Sequence, residues 1–270
     1  MISRKAHRGP RPKDTLRLRI APGAQVGRNR PIAHDSSSFL SLSDNASRRY
    51  RPAGMGEWQF ARGKLRGDPV YRAVWEGPWI REGTVVDVGC GCGLMLALFA
   101  AARENASLYP SFRGRAASRL IGVETRQAVA TRARQALGTH AEIISADARG
   151  IPLPCCQTLL LFDVLSMIPA ADQETLLETM VDSLEPGGVL LIRDVDASAG
   201  WRFHMVKIAN RIKALLLGYS SRGFHFRTLS GWCDLLRHHG LQVSTHAMSH
   251  GTPFANVLLV AQRLNSSEKR

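Results

Sequence analysis

The 270-residue chain carries 36 Lys and Arg against 22 Asp and Glu, a net charge of +14, and 44% of its residues are hydrophobic. That length suits one large domain or two small ones, and the apolar share suffices for a packed core. No apolar run approaches the roughly 18–20 residues of a membrane span, and the start "MISRKAHRGPRPKDT" lacks the apolar segment of a secretory leader.

The positive charge is concentrated at the beginning. Residues 1–51 hold twelve Lys or Arg against three Asp, together with Pro10, Pro12, Pro22, Pro31 and the cluster "SSSFLSLS". Such composition buries too little surface to offset the entropy of ordering. It predicts a basic, disordered extension over 1–51, a folded domain over 52–264 and a disordered tail over 265–270. The expected location is the cytoplasm, although an Arg- and Ser-rich, acid-poor start also fits an organellar transit segment or an over-long start. Charge by itself is a weak argument for nucleic acid, and a solvated tail is the expectation here.

From residue 52 strands and helices alternate. "TVVDVGC" (84–90) is a β-branched strand and "LMLALFAAAR" (94–103) a strong helix former directly after three glycines. "RLIGVE" (119–124) reads as a second strand, "RQAVATRARQAL" (126–137) as a helix stopped by Gly138, and "AEIISAD" (141–147) as a third strand. "TLLLFDVL" (158–165) has the continuous apolar run of a central parallel strand. "DQETLLETMVDSLE" (172–185) is a helix with acids at its positive end, "PGG" breaks the chain, and "VLLIRDVD" (189–196) is a fifth strand. After a helical stretch, "LQVSTHAM" (241–248) and "NVLLVAQR" (256–263) close the pattern. Regular alternation predicts a parallel sheet with helices on both faces and a ligand beyond the carboxyl ends of its strands.

The glycines narrow the ligand. Gly89, Gly91 and Gly93 are spaced G-x-G-x-G, whereas a dinucleotide fingerprint needs glycine where Leu94 stands and an acid about 20 residues on. No G-K-[ST] follows, which removes the P-loop. Acids instead recur near successive strand ends: Asp87, Glu124, Asp147 and Asp163. The second suits ribose hydroxyls and the third an adenine amino group.

In "VVDVGCGCG", "GVE" ending at Glu124, "SADA" with Asp147 and Ala148, "FDVLSMI" with Asp163, and "LEPGGVLLI", the chain resembles the class I S-adenosylmethionine-dependent methyltransferases over about residues 58–263. The resemblance implies a Rossmann-like, seven-stranded, mostly parallel α/β sheet whose last strand is antiparallel. It also implies S-adenosylmethionine as cofactor, held by Asp87, Gly89, Cys90, Gly91, Gly93, Glu124, Asp147, Ala148 and Asp163. Upstream, "FARGKLRGDPVYRAVW" (60–75) resembles the lead-in helix of bacterial members acting on small acyl or aromatic substrates, including those near aryl-polyene pigment clusters. By position, Lys64 or Arg62 could pair with the cofactor's methionine carboxylate.

Direct in-line transfer needs no obligatory catalytic side chain, because proximity does much of the work. Where many relatives carry His after the fourth strand, this chain has Ser166 and Met167. Asp194, Asp196 and His225 are the remaining candidates for a base. "PLPCC" precedes the fourth strand, so the Pro-Cys nucleophile of cytosine methylation is discounted. Five cysteines (Cys90, Cys92, Cys155, Cys156, Cys233) form no C-x-x-C pair, so reduced thiols and no metal are expected.

Residues 201–219 place Trp201, Met205, Ile208, Ile212, Leu215, Leu216 and Tyr219 on one helical face flanked by Arg202, Lys207, Arg211 and Lys213. This stripe fits core packing, a lid over the acceptor, or peripheral contact with a membrane surface. The expected activity is methyl transfer to a small acyl, polyketide-like or aromatic acceptor, free or carrier-bound. An RNA methyltransferase using the basic extension and a non-catalytic cofactor-binding module are the alternatives.

Overall fold

The computed structural model describes residues 36–112, 116–200, 224–248 and 255–265. Residues 1–35, the stripe at 201–219 and the tail 266–270 lie outside the described residues. Strands β1 (Gly83–Val88), β2 (Ala117–Glu124), β3 (Glu142–Ser145), β4 (Cys156–Phe162), β5 (Leu184–Val195), β6 (Leu241–Ala247) and β7 (Asn256–Arg263) form one sheet ordered β3-β2-β1-β4-β5-β7-β6. The first five run parallel, and β7 runs antiparallel to both β5 and β6. This is the Rossmann-like sheet that the alternation and the resemblance predicted.

The apolar runs of the strands are split between two cores by the two-residue period. Val86, Val88, Leu159, Leu161, Leu190 and Ile192 pack on one face, and Val85, Leu160 and Leu191 on the other. Helices α1 (Ser36–Ser47), α2 (Met55–Gly67), α3 (Pro69–Glu76), α4 (Leu94–Glu104) and α5 (Gln127–Leu137) contribute to the second core, while α6 (Ala170–Ser183) and α7 (Leu229–His238) cover the first.

Two boundaries differ from the sequence reading. The fourth strand stops at Phe162, because Asp163 takes a left-handed φ of 60° that no strand continues through. The "PGG" break lies inside β5, where the register shifts opposite Cys156–Thr158 and Gly187 holds a φ of 77°.

The larger correction concerns the domain start. Residues 36–51, assigned above to a disordered extension, form α1 and a 3-10 turn (Arg48–Ala53), and Phe39, Leu42, Ala46 and Tyr50 are buried. The reason lies in α4, where every residue from Leu94 to Ala102 is buried. A helix apolar all round must be covered on the side away from the sheet, and α1 packs there. Ser43 and Ser47 keep that contact close, their hydroxyls donating to Phe39 O and Asp44 O at 2.8 Å each. Trp75 of α3 anchors the layer, with its ring 6.2 Å from Phe39, 5.9 Å from Tyr109 and 5.0 Å from Phe112.

Candidate active site at the carboxyl edge of the sheet

A cleft of about 1540 Å³ opens beyond the carboxyl ends of β1, β2, β4 and β5. A single small-molecule site typically takes roughly 300–1,000 Å³, so the cleft has room beyond one such site. Lys64, Asp87, Gly89, Cys90, Gly91, Glu124, Asp147, Ala148, Asp163 and Asp194 all line the cleft, whereas Gly93 and His225 do not.

The glycine turn is shaped by two different requirements. Gly89, Gly91 and Gly93 have φ of 73°, 57° and 78°. A side chain at Gly89 would meet Val164 at 2.3 Å, so that position is fixed by packing. A side chain at Gly91 would meet nothing within 4 Å, because this glycine faces the open cleft. The backbone there can touch a ligand directly. Tyr50, from the segment predicted to be disordered, donates its buried hydroxyl to Cys92 O at 2.8 Å and steadies the turn. Burial pushes the Tyr50 hydroxyl well above its usual range.

Glu124 ends β2 with its side chain 4% exposed. Its carboxylate accepts from Gly91 N at 3.0 Å, from Arg126 N and Nε at 2.9 Å each, and from a second guanidinium nitrogen of Arg126 at 3.3 Å. Burial pushes this carboxyl up, but those hydrogen bonds outweigh it and hold the group below its usual range. Asp87 is its opposite: burial, then the Glu124 charge, raise its carboxyl to about 8. The two acids are therefore held in different protonation states at neutral pH. Cys90 is half-buried against the core, its thiol pushed up by burial and by the nearby acids.

Asp147 is exposed, gripped by Arg149 at 2.6–3.1 Å, and Arg149 also reaches Asp172 at 2.7 Å. Ala148 beside it is buried. Asp163 is held by Arg193, whose Nε donates at 2.8 Å and whose side chain is 5% exposed. A further nitrogen of Arg193 donates to Asp68. Asp68 in turn takes Lys64 Nζ at 2.6 Å and caps α3 through Val70 N at 3.1 Å. Lys64 thus sits at the cleft as part of an internal charge chain, and Arg62 is occupied by Asp44 at 2.9 Å. Of the base candidates, Asp196 caps α7 through Leu229 N at 3.0 Å. His225 is exposed, and only its backbone is engaged, with Ser166 O and the Gln173 side chain. Asp194 alone is both buried and in the cleft wall.

Sequence reasoning missed Asp68, Arg193, Arg126 and Tyr50. Asp-Pro opening a helix is a cap signature, and an arginine inside "VLLIRDV" demands a carboxylate partner if that strand is central. Its partner Asp68 lies 125 residues away, which the sequence gives no means of choosing. Among the described residues no cluster of three or more His, Cys, Asp or Glu is placed to hold a metal ion.

Residues 58–246 match the methyltransferase domain family. A 118-residue stretch is 30% identical to carboxy-S-adenosyl-L-methionine synthase of Actinobacillus succinogenes, covering 42% of this chain and 45% of that protein. The chain thus spans less than half the length of that curated relative. An O-methyltransferase family protein from Burkholderia thailandensis superposes with a TM-score of 0.56 at 18% identity, over 80% of this chain and 62% of the other. Magnesium protoporphyrin IX methyltransferase from Synechocystis, solved with bound SAH, gives 0.52 at 16% identity, over 85% of this chain and all (100%) of that one. At such identities the likeness is one of fold. The family match spans well over half of the sequence and contains both the glycine turn and the acids that follow it, so the chain belongs to the methyltransferase domain family, in agreement with the class I resemblance of its motifs.

Proposed function

We propose that the protein transfers the methyl group of S-adenosylmethionine to a small acyl, polyketide-like or aromatic acceptor bound in the same cleft. The observation that carries the reading is the buried Glu124 carboxylate, tied to the amide of Gly91 at the lip of a cavity with room beyond one small-molecule site. The residues present fit the cofactor. Glu124 would take the ribose diol in place of its Arg126 contacts, Asp147 and Ala148 would flank the adenine, and the open face of Gly91 would admit the methionine part. When bound, the cofactor supplies a methyl group already activated by its sulfonium.

The chain's own task is then to align and to exclude water. Held reactants gain roughly 7–11 kcal/mol from proximity in favourable cases. Phe60, Met167 and Phe224 put apolar surface on the cleft walls, which suits an acceptor that is itself largely apolar.

Calorimetric titration with S-adenosylmethionine and S-adenosylhomocysteine tests the reading, and no binding to the full chain would overturn it. Glu124→Ala is expected to weaken both ligands by about 1.5–3 kcal/mol, the worth of a hydrogen bond to a charged acceptor. Unchanged affinity in that variant would remove Glu124 from the ribose site.

A further inference from the structure

We infer that Asp194 accepts the proton of the acceptor's nucleophilic hydroxyl, and that the acceptor is an apolar molecule bearing an acidic O–H of the phenol or enol class. This deepens, and rests on, the methyl-transfer reading above. Asp194 lies next to the carboxyl end of β5, paired across to Val257 of β7, with 1% of its surface exposed. Its Oδ1 takes the amide of Val195 at 2.7 Å. Its Oδ2 is buried and has no hydrogen-bond partner, and the residue borders the cleft. Buried carboxylate oxygens are rarely left without a donor. The adjacent Arg193 is not that donor, because it directs its guanidinium nitrogens to Asp163 and Asp68, and we take a hydroxyl bound in the cleft that Asp194 borders to be the missing one.

The electrostatics agree with the geometry. Burial, reinforced by the nearby Asp163 charge, raises the Asp194 carboxyl to about 7. A base near neutrality exchanges protons best with groups of comparable acidity, which favours a phenol or enol over an aliphatic alcohol. Phe60, Met167 and Phe224, which are 55%, 64% and 39% exposed, offer apolar contact in the same cleft. The step is a single proton transfer. The acceptor's O–H bond breaks, its electron pair stays on the acceptor oxygen, and the proton forms an O–H bond at Oδ2. The neutral carboxylic acid then returns the proton to water.

The test is a binding measurement without turnover. The full chain, saturated with S-adenosylhomocysteine, is titrated with para-nitrophenol and with its methyl ether, para-nitroanisole, which cannot donate a hydrogen bond. The wild type is expected to favour the phenol by about tenfold or more. Asp194→Ala should bring the phenol to the level of the ether while leaving the affinity for the ether unchanged. Asp194→Asn, nearly isosteric, should lose most of the preference without loss of thermal stability. A residue with a merely structural role would lower the unfolding temperature and affect both probes alike. Equal affinities in the wild type, absent binding of either probe, or a preference that survives both substitutions would overturn the assignment. Failure of S-adenosylhomocysteine to bind at the outset is the separate failure of the methyl-transfer reading, and the assignment falls with it.

Discussion

Asp87 and Glu124 stand on neighbouring strands, both at 4% exposure, yet their surroundings drive them apart: Glu124 is held ionised by Arg126 and the loop amide, and Asp87 rises to about 8. A carboxyl raised in the folded state keeps a proton that the unfolded chain has already released. The contribution of Asp87 to stability is therefore greatest at low pH and falls as pH climbs from the unfolded value near 4 towards 8. One such group contributes a slope of at most about 1.4 kcal/mol per pH unit. Asp194, raised to about 7, acts in the same direction over the lower part of that window. Thermal unfolding of Asp87→Asn between pH 5 and 8 is expected to show a shallower decline than the wild type, with the Asp194 share remaining. Parallel curves would mean that Asp87 is ionised in the folded protein. Of this site, the sequence revealed which residues are acidic and which glycines face them. It did not reveal their protonation, which depends on desolvation and on Arg126, a residue the strand pattern treats as the start of a helix.

Helix α3, β4 and β5 are joined by Arg193, which bridges Asp68 before α3 and Asp163 after β4. Burial opposes the charge on Arg193, and the two carboxylates more than compensate. Arg193→Met keeps the volume but leaves Asp68 without its main counter-charge. Removing one member of a buried pair costs about 3–5 kcal/mol. The half-exposed Asp163 recovers water, so we expect a loss of about 3 kcal/mol in urea unfolding. A variant as stable as the wild type would show the bridge to be dispensable. The α1–α4 contact makes a second expectation at this scale. Leu42→Ala, at a fully buried site, should cost about 2–5 kcal/mol in the same measurement, whereas an unfolded extension would lose nothing. Averaging charge and proline over residues 1–51 hid this helix, since most of the basic residues precede it. The signal was in α4: a nine-residue apolar stretch with no polar face needs two covers, and the sheet supplies only one.

At the scale of the molecule, the order and type of the strands were legible, because a doubly covered parallel sheet writes apolar runs of strand length between helical segments. The crossover topology followed from the class of fold, and the reversal of β7 from the resemblance. Less was legible wherever residues remote in sequence meet, as with Tyr50 reaching Cys92, 42 positions away. That one hydrogen bond has a thermodynamic corollary. Free energies of binding are reciprocal, so a ligand whose affinity rises with the Tyr50–Cys92 bond must in turn stabilise that bond and the 3-10 turn that carries it. Conversely, anything that pulls Tyr50 from Cys92 loosens the glycine turn and lowers affinity for whatever that bond helps to hold. A residue from the stretch whose composition predicts disorder is thereby a second handle on the cleft, acting through the backbone just before α4.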